Sequence, residues 1–113
     1  MNISSPSPTI LTLDACLFDE VTSTGVALVD FWAPWCGPCQ MQTTILQNLA
    51  GRIGEQVTVA KVNVDEAPEL AARFDIRSIP TLILLKDGRV VRQFVGVQPE
   101  PVLAKAVLAA TQP

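Results

Sequence analysis

The sequence predicts an α/β fold: a central mixed sheet of about five strands flanked by four helices, in the order βαβαβαββα. Three observations carry that prediction. Val26-Ala27-Leu28-Val29 runs apolar without alternation into Asp30-Phe31-Trp32, the pattern of a strand buried on both faces in a parallel region. Stretches of helical character separate the strand candidates, as parallel crossovers require. Near the end, Lys86-Asp87-Gly88-Arg89 reads as a tight turn between two strands and adds an antiparallel hairpin.

Each element has its own signal. Residues 1–8, rich in Ser and Pro, read as a disordered tail, leaving 9–113 as one domain, a length within the usual range of about 100–150 residues. Thr9 to Leu13 is a short strand candidate. Asp14 is an N-cap candidate for a helix on which Leu17 and Val21, four apart, would face inward. After the buried strand, Cys39 to about Arg52 has helical character, with Met41, Ile45, Leu46 and Leu49 near one face. Val57 to Val64 alternates as a strand. Pro68 suits the first turn of a helix reaching about Phe74. Thr81 to Leu85 and Val90 to Val95 flank the turn, and Pro99 opens a last helix with Val102, Ala106, Val107 and Ala110 inward.

Composition excludes several function classes. The chain has 8 basic and 11 acidic residues, a net charge of −3, which provides no field for nucleic acid or an anionic membrane. There is no histidine, which removes Ser–His and Cys–His catalysis and the commonest metal ligand. Three cysteines are too few for a secreted disulfide framework. Met1 to Pro8 lacks the basic and apolar parts of a signal peptide, and no run nears the ~20 apolar residues of a membrane helix. The expectation is a soluble cytoplasmic protein in a reducing compartment.

The chemistry sits in Trp35-Cys36-Gly37-Pro38-Cys39. Two cysteines at this spacing can meet at disulfide distance, about 2.05 Å. A helix starting here would present partial positive charge to Cys36 and favour its thiolate, making Cys36 the nucleophile and Cys39 the deeper, resolving thiol. Pro38 would stiffen the turn and Gly37 keep the sulfur reachable. A structural zinc site needs a second pair of ligands, and Cys16 is the one cysteine left, so no metal is expected. Cys16 itself reads as a small buried hydrophobe on the first helix, with a regulatory thiol as the alternative. Asp30 within the apolar strand is costly unless protonated or paired, and burial would raise its pKa; the alternative is a strand-end carboxylate facing solvent.

The run Val29-Asp30-Phe31-Trp32-Ala33-Pro34-Trp35-Cys36-Gly37-Pro38-Cys39 resembles the thioredoxin family almost residue for residue. Ile76-Arg77-Ser78-Ile79-Pro80-Thr81-Leu82, Lys86-Asp87-Gly88 and Val95-Gly96 extend the resemblance over about residues 9–110. It implies the thioredoxin fold and reduction of protein disulfides by dithiol–disulfide exchange, with a redox-active Cys36–Cys39 disulfide. Pro80, alone an ordinary strand-start proline, is implied to be cis and to lie against the sulfurs. Asp30 is assigned to proton transfer with Cys39, and Lys61 is its implied partner. Trp35, Gly37, Pro38, Ile79, Pro80, Thr81, Val95, Gly96 and Val97 match the family's substrate-contact surface, whereas Trp32 reads as scaffold under the loop.

The implied partners are disulfide-containing proteins and a thioredoxin reductase, for a chain that works as a monomer. The reductase is external because no flavin or nicotinamide fingerprint occurs and no cofactor is expected. Two departures bear on the redox balance: Gln40 stands where the family usually has Lys or Arg, and Thr44 where it has a helix-kinking proline, so the helix would either run straighter or keep its bend through packing. Rival readings are a disulfide oxidase or isomerase on the same fold, and a redox-independent binding module.

Overall fold

A computed structural model describes residues 10–112, so the tail at 1–8 and the proposed strand start at Thr9 lie outside the described residues. The elements are β1 (Leu11–Thr12), α1 (Ala15–Thr22), β2 (Val26–Trp32), α2 (Gly37–Ile53), β3 (Val57–Asn63), α3 (Pro68–Arg73), β4 (Thr81–Lys86), β5 (Arg89–Val95) and α4 (Glu100–Thr111), with a single 3-10 turn at Gly54–Gln56 before β3. This is the predicted order. The strands lie β1-β3-β2-β4-β5, with β1 and β2 parallel to β3, β4 antiparallel to β2, and β5 antiparallel to β4.

The β2 pleat divides the core. Val26 and Leu28 point into one layer with Val59, Leu82, Leu84, Leu46 and Leu49 of α2 and Leu103 of α4. Ala27, Val29 and Phe31 point the other way, against Phe18 of α1 and Leu70 of α3. Alternation within β3 is weak because Ala60, Val62 and Asn63 are all covered. The hairpin turn has Asp87 and Gly88 at positive φ, 51° and 84°, the pair that a right-twisted two-residue turn requires. Asp87 also accepts the Gly25 N–H at 2.8 Å and so ties the hairpin to the start of β2.

Several inward assignments need correction. Leu17, Met41 and Val102 are exposed, and so is Cys16. The buried positions are Phe18 and Thr22 on α1, Cys39, Gln42, Leu46, Leu49 and Ala50 on α2, and Leu103, Ala106 and Val107 on α4. A helical stripe is fixed by packing against the sheet, and one residue of error rotates it by about 100°. Cys16 falls on the outer side of α1 because Phe18 takes the inner one.

Candidate active site

Trp32 ends β2, and the chain turns through Ala33-Pro34-Trp35, closed by the Cys36 N–H donating to the Ala33 carbonyl at 3.1 Å. Cys36 then caps α2 with extended backbone, and its Sγ accepts the Cys39 N–H at 3.2 Å. Pro38 occupies the first turn, where its missing N–H costs nothing. Helix α2 therefore begins two residues ahead of the predicted Cys39. Cys36 and Cys39 are joined as a disulfide with Cα atoms 5.3 Å apart. Cys39 has no exposure and Cys36 only 5%, so the outer sulfur is closer to covered than the sequence suggested. The helix N-terminus places unpaired amides and partial positive charge on Cys36.

The covering side is the turn before β4. The Ile79–Pro80 bond is cis, and the Ile79 carbonyl oxygen lies 3.8 Å from Cys36 Sγ. The Pro80 carbonyl accepts the Gly96 N–H at 2.8 Å, and the Thr81 hydroxyl donates to Ser78 at 2.7 Å. Gly96 has φ 87°, a conformation few side chains adopt. Trp35 is 71% exposed, yet its indole N–H donates to Asp65 at 2.9 Å, which fixes the ring over an apolar cleft of about 340 Å³ with Val64, Ala71, Ile76 and Ile79. Gly37, Pro38 and Val95 are also exposed, while Gly96 and Val97 are half-buried.

Asp30 is fully buried, and neither carboxylate oxygen has a hydrogen-bond partner among the described residues. Burial pushes its pKa up to about 7, and the charge of Lys61 opposes that rise. Asp30 and Lys61 are register partners on β2 and β3, but no ion pair closes between them. The Lys61 ammonium instead donates to the Thr43 hydroxyl at 2.8 Å and stands 3.9 Å over the Trp32 ring. Burial lowers the Lys61 pKa, and Asp30 counteracts it. The pairing is thus a field across the sheet rather than a contact. Trp32 forms the wall beneath this charge, half-buried as scaffold.

Three residues here escaped the sequence reading: Asp65, Thr43 and Gln42. Thr43 links Lys61 to α2, since its hydroxyl also donates to the Cys39 carbonyl at 3.1 Å. Gln42 is fully buried one turn beyond Cys39. A polar residue on the Cys39, Leu46, Leu49 stripe was its signal. Helix α2 runs unbroken through Thr44, whose hydroxyl donates to the Gln40 carbonyl at 3.4 Å.

A dithiol couple capped by its own helix and faced by a proline turn can take up and release two electrons through sulfur alone. On this sheet order it makes the chain a thiol–disulfide oxidoreductase with the thioredoxin fold. A family model described as Thioredoxin matches residues 9–109. Thioredoxin of Staphylococcus haemolyticus is 50% identical over 90 residues, which cover 80% of this chain and 86% of that protein. Thioredoxin of Bacillus subtilis is 47% identical over the same shares of the two chains. Among solved structures, a mutant thioredoxin from Halobacterium salinarum superposes with a TM-score of 0.86 at 38% identity, covering 97% of this chain and 98% of that one. The chain belongs to the thioredoxin family. Its activity is protein-disulfide reduction, and its redox centre is the cysteine pair itself, with no bound cofactor. Among the described residues no helix is long and apolar enough to cross a membrane, and no group of three or more His, Cys, Asp or Glu could hold a metal ion.

Proposed function

We propose that Cys36 is the nucleophile and Cys39 the resolving thiol of a single domain spanning 9–113. In the reduced protein the Cys36 thiolate attacks one sulfur of a substrate disulfide, forming a mixed disulfide and releasing the other sulfur as a thiolate. Cys39 gives its proton to the Asp30 carboxylate and attacks Cys36 Sγ. The Cys36–Cys39 disulfide forms, the second substrate thiolate leaves, and two electrons have passed to the substrate. A base with a pKa near the working pH suits that proton transfer, and burial sets Asp30 at about 7. Lys61 tempers the rise through its field.

The observation that carries this reading is the burial order at the helix tip: Cys36 retains 5% exposure above a Cys39 with none. Extended substrate segments dock on Trp35, Gly37, Pro38, Ile79, Pro80, Thr81, Val95, Gly96 and Val97, where the backbone beside Pro80 pairs with them as an added strand. The oxidised chain is returned to the dithiol by a thioredoxin reductase, and it works as a monomer in the cytoplasm. Incubation of Cys39→Ser with a protein disulfide is expected to trap a covalent, dithiothreitol-reversible adduct at Cys36. Cys36→Ser should trap none. An adduct through Cys39 in place of Cys36 reverses the two roles.

A further inference from the structure

The inner stripe of α2 carries a primary amide where its neighbours are hydrophobic. Cys39, Gln42, Leu46 and Leu49 are all covered, and Gln42 has no exposure. A buried amide is costly unless both its ends are bonded. Both ends of Gln42 bond to one residue. Its Oε1 accepts the backbone N–H of Gln98 at 2.7 Å, and its Nε2 donates to the Gln98 carbonyl at 3.1 Å. The Gln98 side chain turns back, with Nε2 3.3 Å from the Val95 carbonyl and 3.4 Å from that of Gly96. The Gly96 N–H donates to the Pro80 carbonyl, next to the Ile79 oxygen that faces Cys36. A line of hydrogen bonds therefore runs from one helical turn beyond Cys39, through the segment after β5, to the backbone beside the sulfurs.

We propose that Gln42 is a positioning residue for protein substrates: its two-point contact with Gln98 fixes the Gly96-Val97 segment in the form that receives an extended chain. The inference rests on the docking surface proposed above. Residues 96–98 lie outside helix and strand, so their conformation depends on such side-chain anchors. Without the anchor the backbone of Gln98, a half-buried residue, can exchange its Gln42 bonds for water, and the segment then samples other conformations. Apparent affinity falls in proportion to the competent fraction. A small disulfide that reaches Cys36 without crossing this segment is not affected.

The test compares insulin, a protein disulfide, with dithionitrobenzoate, a small one, using the full-length chain and Gln42→Met. Methionine matches glutamine in length and removes both bonds. The expected result is a KM for insulin raised roughly tenfold, on a competent fraction reduced to about a tenth. The rate with dithionitrobenzoate and the reduction potential stay at the wild-type value, and amide exchange at Gln98 accelerates. Faster exchange at Gln98 with an unchanged insulin KM overturns the inference, and so do equal losses on both substrates. Trp35→Ala separates the two levels. If it too leaves the insulin KM unchanged, the docking surface is wrong and the inference falls with it; if it raises KM while Gln42→Met does not, only the inference fails. Should Gln42→Met not fold, Gln42→Leu, apolar like Leu46 and Leu49 on the same stripe, removes both bonds to the Gln98 backbone. It is expected to raise the insulin KM alone, and an unchanged value overturns the proposal.

Discussion

Asp30 is the residue at which stability and chemistry oppose each other. Its carboxylate is buried without a hydrogen bond among the described residues, and its pKa rises from 3.8 to about 7. The folded state therefore binds the proton more tightly than the unfolded chain does. Below the unfolded value both states are protonated and Asp30 costs nothing through ionisation. As pH climbs from 3.8 to about 7 the unfolded chain ionises first, and folding stability falls by up to about 4 kcal/mol before levelling off. Asp30→Asn, uncharged and of equal size, removes this loss. Its stability relative to wild type in urea unfolding is expected to rise between pH 4 and pH 8, and a pH-independent difference would contradict a buried, proton-linked Asp30. The cost of a carboxylate in an apolar strand was legible in the sequence. The position of Lys61 was not, because the Thr43 hydroxyl and the Trp32 ring compete for its ammonium from other elements.

Among the elements, start signals read more reliably than faces. Asp14 caps α1 as expected, its Oδ1 accepting the Leu17 N–H at 2.9 Å. Asp14→Ala leaves that N–H without its protein acceptor and is expected to cost about 1 kcal/mol in chemical denaturation, with function unaltered. No measurable cost would mean that the cap is idle and that packing of Phe18 alone holds α1. Helix α2 starts at Gly37, ahead of the expected Cys39, because its cap is Cys36, a residue outside the usual capping set, whose sulfur takes the Cys39 N–H. Faces were less legible. Met41 and Leu17 are apolar, yet they lie on the outer side, since the sheet and the neighbouring helix choose which stripe is covered. In α2 the covered stripe includes Gln42, which an apolar pattern passes over.

Over the whole molecule, β2 is the central strand, paired with β3 on one side and β4 on the other, and buried from Val26 to Phe31. Its amides are expected to exchange last with solvent deuterium, by global unfolding, while β1, an exposed two-residue edge strand, exchanges early. Equal protection in the two strands would place the stable core elsewhere. The exposed edge at β5 carries Arg89 and Arg92, charges that discourage pairing with another sheet. The sequence by itself determined the element order, the hairpin turn and the cysteine pair at a helix start, because these depend on local periodicity, turn chemistry and spacing. Only the tertiary structure decided how deep Cys36 lies, where the Lys61 charge rests and what Gln42 holds. Those depend on side chains brought together from distant parts of the chain, whose competition for partners no local pattern records.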